Sequence, residues 1–230
     1  MRIETLIELA MKDGIELPYY SERDLRKNVY KNYYESLEDY LRGFSYTVGV
    51  MRTEEGIERV SYEFAKDSYD DGVLYFECRF APQLLAGLKD LSSIEVVEAV
   101  NRGFKRATDE ANENDREVRE GVKPPYKYGV ILCALRYFNE HMSPYYQAFT
   151  RLFGSEKNQK KIFGLASLAM VQDALLLRDE MEVPVVGVDI AGGEADFPAK
   201  SHIEAFTLAH KHLLGKTVHG GEGFGNIDHF

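Results

Sequence analysis

Apolar positions three and four apart recur through the first part of the chain. Ile3, Leu6, Ile7 and Ala10 share one helical face, and Gly14 reads as the stop. "SERDLRKNVYKNYYESLEDYL" is charged and rich in tyrosine, and predicts helices that lay aromatic rings on a partner surface. "SYTVGVM" reads as a strand. After Thr53 the helical spacing returns at Ile57, Val60 and Phe64 and ends near Gly72, and a strand follows over residues 73–80. Ser92 and Glu95 form a capping box, because hydroxyl and carboxylate can each satisfy a free amide at a helix start. The helix it opens carries Ile94, Val97, Val100, Phe104 and Ala107 on one side. "DEANENDREVREGVKPPYK" is polar with two prolines and reads as an exposed connection.

The second half alternates more regularly. "KYGVILCAL", "PVVGVDIAG" and "KTVHG" read as strands, the last of them short and buried. "SPYYQAFTRLF", "KKIFGLASLAMVQDALLLRDEM" and "KSHIEAFTLAHKHLLG" read as helices. Strands without polar alternation, separated by amphipathic helices, indicate a parallel sheet covered by helices. The class is α/β, either a barrel or an open doubly wound sheet.

Composition narrows the partners. The 28 basic and 38 acidic residues leave a net charge of −10, a surface that repels phosphate backbones, so nucleic acid is excluded as an expected partner. Cys78 and Cys133, both in apolar strand-like runs, are too few and too isolated for a four-ligand zinc cluster and fit a reducing compartment. With no signal-peptide pattern and no apolar run long enough to span a bilayer, a cytoplasmic protein is expected.

Three strands finish on polar or glycine residues. "YFECRFAP" carries Glu77 and Arg79; "VVGVDIAGGE" carries Asp189, Gly192, Gly193 and Glu194; "TVHGGEG" carries His219 and Glu222. In parallel α/β folds, side chains from the carboxyl ends of different strands converge on a ligand. Neutral imidazole at a strand terminus suits metal ligation, which makes His219 the metal candidate. Glu222, three residues on, suits a proton donor beside a metal-bound water if burial raises its pKa. The glycines let the backbone turn and approach a flat ligand. Bland readings stand beside these. A histidine at a strand end is often a hydrogen-bonded structural residue, Glu77 and Arg79 can simply pair with each other, and Asp189 can be an acceptor for backbone amides. His202, His210 and His212 fall on a helix and are expected at the surface. His141 follows a strand and could reach the sheet's mouth.

Taken together, "MRIETLIELAMKDGI", "SLEDYLRGFSYTVGVMRTEEGIERVSYEFAKDSYDDGVLYFECRFAPQL", "GVILCALR", "VVGVDIAGGE" and "TVHGGEGFG" resemble the adenosine deaminase family of metal-dependent hydrolases, in order and across nearly the whole chain. The resemblance implies a (β/α)8 TIM barrel with its site at the carboxyl face. It also implies one zinc ion whose activated water attacks the amino-bearing carbon of a purine nucleoside, releasing ammonia. On the matching positions, His219 is the metal ligand, Glu222 the catalytic acid that protonates a purine ring nitrogen, and Gly192 the substrate-binding residue whose amide holds another ring nitrogen. Gly220 stands where the family usually has alanine. The family's opening His-x-His strand lies upstream of the matched segment, and its later histidine and aspartate lie downstream. His229 does not fit the spacing of that histidine. Residues 1–230 are therefore expected as one barrel domain, incomplete at about five of eight strands and inactive alone. Omitted segments, a truncated or degenerate relative, and a barrel completed by another chain are three explanations. The alternative function is a catalytically inactive or truncated deaminase-like protein that binds a nucleoside or a protein partner. A third reading is an enzyme for a different amino-purine.

Overall fold

The computed structural model describes residues 1–194 and 196–222. In chain order its elements are α1 (Ile3–Asp13), α2 (Glu22–Asn28), α3 (Leu37–Val50), α4 (Glu54–Asp70), β1 (Tyr75–Phe80), α5 (Pro82–Leu85), α6 (Ser93–Asn114), α7 (Arg116–Arg119), β2 (Lys127–Leu135), α8 (Pro144–Leu152), α9 (Gln159–Asp179), β3 (Val185–Ala191), α10 (Ile203–Lys211) and β4 (Gly215–Lys216). Two compact units divide the chain, Met1–Val73 with Ala99–Pro124 and Leu74–Glu98 with Pro125–Phe230.

The first unit is helical. Ile3, Leu6 and Ala10 of α1 are buried as the spacing predicts, Leu9 joins them in place of the partly buried Ile7, all packed with Leu17, Leu25 and Val50, and Gly14 closes the helix at φ 65°. The segment "SYTVGVM" is not a strand. Its residues to Val50 form the end of α3, which Ser36 opens by accepting the Asp39 amide at 3.1 Å. Helical spacing from Tyr46 to Val50 delivers those two side chains to the α1 cluster, and that packing outweighs the β propensity of Thr47 and Val48. "DEANENDREVREG" is likewise helical: α6 continues through Asn114, the Tyr62 hydroxyl donates to Glu110 at 2.6 Å, and Asp115 caps α7.

The second unit holds one four-stranded sheet in the order β1-β2-β3-β4, every pair parallel. Consecutive parallel neighbours with helices in each crossover form a wall of the kind that closes into a barrel. Gly129 through Ala134 of β2 are buried, so both faces of that strand are covered and its sequence reads as a continuous apolar run. The expected capping box at α6 is present: Glu95 Oε2 accepts the Ser92 amide at 2.8 Å and Ser92 Oγ accepts the Glu95 amide at 3.2 Å. "KTVHG" pairs as a strand beyond the short β4, since Thr217 donates to the Val188 carbonyl at 3.0 Å and His219 to that of Ile190 at 2.9 Å. It is not buried. Val218 is 50% exposed, because among the described residues no further strand lies along its outer side. Four strands rather than five are therefore present among the described residues, the fifth expected one being the end of α3.

Candidate active site

Strand register decides which side chains meet. Cys133 pairs with Asp189 across β2 and β3, and Arg79 of β1 lies opposite Ile131, two residues before Cys133. Register neighbours in a parallel sheet point to the same face. Arg79, Cys133, Asp189 and His219 therefore share one face near the carboxyl ends. Asp189 is fully buried, and its Oδ2 stands 2.7 Å from His219 Nδ1 and 3.5 Å from Arg79 Nη1. Neither Asp189 oxygen makes a hydrogen bond of good geometry, and His219 Nδ1 does not either. A buried carboxylate in that state is costly unless cationic charge is close.

The donor chemistry fits a divalent metal. Ligand atoms of Cys133, Asp189 and His219 lie within 4.8 Å of one another, and sulfur, carboxylate and imidazole are all zinc donors. Burial, and after it the charge of Asp189, pushes the Cys133 thiol up, which disfavours the thiolate; Glu222's charge acts in the same direction and Arg79's against it. The close pair is His219 with Asp189.

Behind this pair lies a buried polar network. The Arg136 guanidinium is fully buried; Nη1 donates to the Phe197 carbonyl at 3.0 Å and Nη2 to the His219 carbonyl at 2.7 Å. Glu194, also buried, accepts the Gly221 amide at 3.1 Å on Oε1 and the Glu222 amide at 3.0 Å on Oε2. Arg136 Nη2 is 3.9 Å from Glu194 Oε1. On the other side of Arg136, its carbonyl lies 3.2 Å from His202 Nε2, and Ser167 Oγ lies 2.6 Å from His202 Nδ1. A carbonyl only accepts, so Nε2 carries the ring proton and Nδ1 accepts from the hydroxyl. Burial lowers the His202 pKa to about 4.

The predicted residues fare differently. His219 is brought against Asp189. Glu222 is exposed, not buried as the proton-donor reading expects; its backbone is fixed by Glu194, and its charge reaches the Cys133 thiol. Gly192 ends β3 at φ 98°, a conformation side-chain-bearing residues rarely adopt, beside the Ala191 carbonyl that accepts the Arg136 amide at 2.7 Å. Glu77 does not pair with Arg79; it accepts from the Tyr75 hydroxyl at 2.8 Å, while Arg79 turns to Asp189. His141 is exposed beside Glu140. His202 is buried, not on the surface, because it precedes α10 in a turn pressed against α9. No role for Arg136 follows from the spacing of motifs, although a charge directly after the apolar run "VILCAL" is a signal that a strand end enters a polar site. His229 lies outside the described residues.

A parallel β/α wall with a polar carboxyl end, an imidazole and a buried carboxylate defines the class, a mixed α/β fold with its site at the strand ends. The family profile described as adenosine deaminase matches residues 1–167, and the chain belongs to the adenosine deaminase family. It is 34% identical over 228 residues to "Adenosine deaminase 1" of Streptomyces coelicolor, an alignment that covers 98% of this chain and 48% of that protein. The chain spans about half the length of the curated relatives it matches. In structure it matches arabidopsis ADAL complexed with IMP at a TM-score of 0.68 and 20% identity, over 100% of this chain and 56% of that one. It matches an amidohydrolase from Burkholderia ambifaria with bound Zn at a TM-score of 0.64 and 15% identity, over 96% and 49%. Among the described residues no helix is long and apolar enough to cross a membrane.

Proposed function

We propose that the chain is part of a deaminase converting adenosine, or a closely related amino-purine nucleoside, to inosine with release of ammonia. The carrying observation is the approach of His219 Nδ1 to the buried Asp189 carboxylate, 2.7 Å, at the strand ends of an adenosine deaminase family chain. A carboxylate this close to one ring nitrogen favours a proton there and leaves the other nitrogen, Nε2, with the lone pair a metal needs. When bound, zinc supplies Lewis-acid activation of a water near neutral pH. His219 is the ligand this chain contributes, and Asp189 orients it. Glu222 delivers a proton to a purine ring nitrogen, and the Gly192 amide donates to another. Water adds at the amino-bearing carbon and ammonia departs, so the purine gains a carbonyl oxygen and loses its amine. The acidic surface suits a small purine rather than nucleic acid, and the two free cysteines suit the reducing cytoplasm proposed for it.

The test starts with the reading frame on either side of the chain. A His-x-His segment upstream and a histidine with paired aspartates downstream are expected. The polypeptide from that frame should bind one equivalent of zinc and remove adenosine absorbance, and His219→Ala should abolish both. Stop codons directly flanking the chain, or a zinc-loaded protein that binds adenosine without turning it over, would overturn the deaminase reading in favour of an inactive relative.

A further inference from the structure

We propose that Glu194, backed by Arg136, is the positioning residue for the turn that carries His219 and Glu222; the proposal rests on the deaminase reading for what the turn does, not for how it is held. The sequence from 219 to 223 is His-Gly-Gly-Glu-Gly, and glycines impose almost no conformation of their own. Gly221 takes φ 79°. A segment so permissive needs an outside constraint to hold two functional side chains in register, and the buried carboxylate of Glu194 supplies one. Its two oxygens take one amide each, Gly221 on Oε1 and Glu222 on Oε2. Arg136 holds the carbonyl of His219 at 2.7 Å with the nitrogen that lies 3.9 Å from Glu194 Oε1.

Main-chain groups of residues 219, 221 and 222 are thus pinned by one buried acid and one buried base. Charged groups make the stronger hydrogen bonds, and fixed partners avoid ordering the turn when ligand arrives. The acid and the base also satisfy each other's charge at a depth where either alone would be costly. Neither side chain reaches the reacting atoms in this scheme. Both act through the backbone of the residues that do.

Glu194→Gln tests this, because an amide keeps the shape yet offers one acceptor oxygen where two are used, and turns a donor toward the other N–H. Backbone exchange and histidine ring signals are read by NMR on the labelled chain. In the wild type, the Gly221 and Glu222 amides should exchange slowly. In Glu194→Gln, at least one should exchange roughly tenfold faster or more, as expected on losing a hydrogen bond to a charged acceptor. The ring signals of His219 should shift while those of His202, seated on the far side of Arg136, stay in place. Unchanged exchange at both amides, or faster exchange with an unmoved His219 ring, would overturn the proposal. Should the variant fail to fold, the wild type still decides: free exchange at Gly221 and Glu222 refutes the clamp. Absence of adenosine turnover by the polypeptide from the full reading frame would refute the deaminase reading alone, since neither NMR readout depends on it.

Discussion

Asp189 is an awkward residue to keep for stability alone. It is fully buried, neither oxygen has a well-formed hydrogen bond, and its nearest polar neighbours are the half-exposed Arg79 guanidinium and the His219 ring. Asp189→Asn removes the charge and keeps the shape. If the carboxylate orients His219 for a metal, zinc affinity should fall roughly 10- to 100-fold, measured by chelator competition. Thermal stability should hold or rise, since an under-satisfied buried charge has been removed. Loss of both affinity and stability would instead mark Asp189 as a structural acceptor. His202 gives a second residue-scale expectation, with its sign set by the lowered pKa. The folded ring titrates near 4 against an ordinary value of about 6.5, so the unfolded chain binds the proton first as pH falls. The contribution of neutral His202 is complete above about pH 6.5 and drains away as pH falls toward 4, by up to ~3 kcal/mol. Urea midpoints at several pH values across that window should fall more steeply for the wild type than for His202→Gln. Equal slopes would mean that the ring does not stay neutral in the folded protein.

Elements show which features a sequence can carry. β2 and β3 were legible because strands buried on both faces leave uninterrupted apolar runs, and the box at Ser92 and Glu95 was legible because all its partners lie within four residues. The end of α3 was not, since Tyr46 and Val50 are committed to helix by a cluster built from α1, far away in sequence. The polar end of α6 reads as a connection because it lacks an apolar stripe, while its support comes from Tyr62 of another helix. At the site, His219 and Asp189 announced themselves at strand ends. Glu194 stood out with them, but without its partners, and neither Arg136 nor the burial of His202 did, because the partners of all three lie 27 to 83 positions away. One glycine makes that last arrangement possible. Gly164 of α9 lies so close to the Ser201 carbonyl that a methyl group would overlap it, and this approach brings Ser167, one turn on, to the His202 ring. Gly164→Ala should therefore destabilise by ~1–3 kcal/mol through overpacking, although alanine is the better helix former by about 1 kcal/mol. A higher melting temperature for this variant would show that propensity outweighs the contact.

For the molecule as a whole, the question is what the described surface leaves open to water. A groove of about 560 Å³ runs between α10 and the β4 edge, lined by Ile190, Ile203, Phe206, Thr207, Thr217 and Val218. Ile203 is 62% and Val218 50% exposed. Lys200 and Lys216 stand at its margin, and Lys216 on an edge strand is the kind of charge that discourages another strand from pairing there. The charges guard the hydrogen-bonding edge but leave the apolar floor wet. An apolar dye such as ANS should therefore bind the folded chain at pH 7, where a well-covered domain would not take it up. Val218→Lys should cut that fluorescence by roughly half or more with little change in stability, because a half-exposed position tolerates charge within about ±0.5 kcal/mol. His219 is the next residue, and its side chain points to the opposite face, so metal binding should survive the substitution. Dye binding that persists unchanged would place the exposed apolar surface elsewhere. Metal binding lost along with the dye would mean that residues 217–219 do not alternate as a strand, and the pairing of His219 with Asp189 would fall with it.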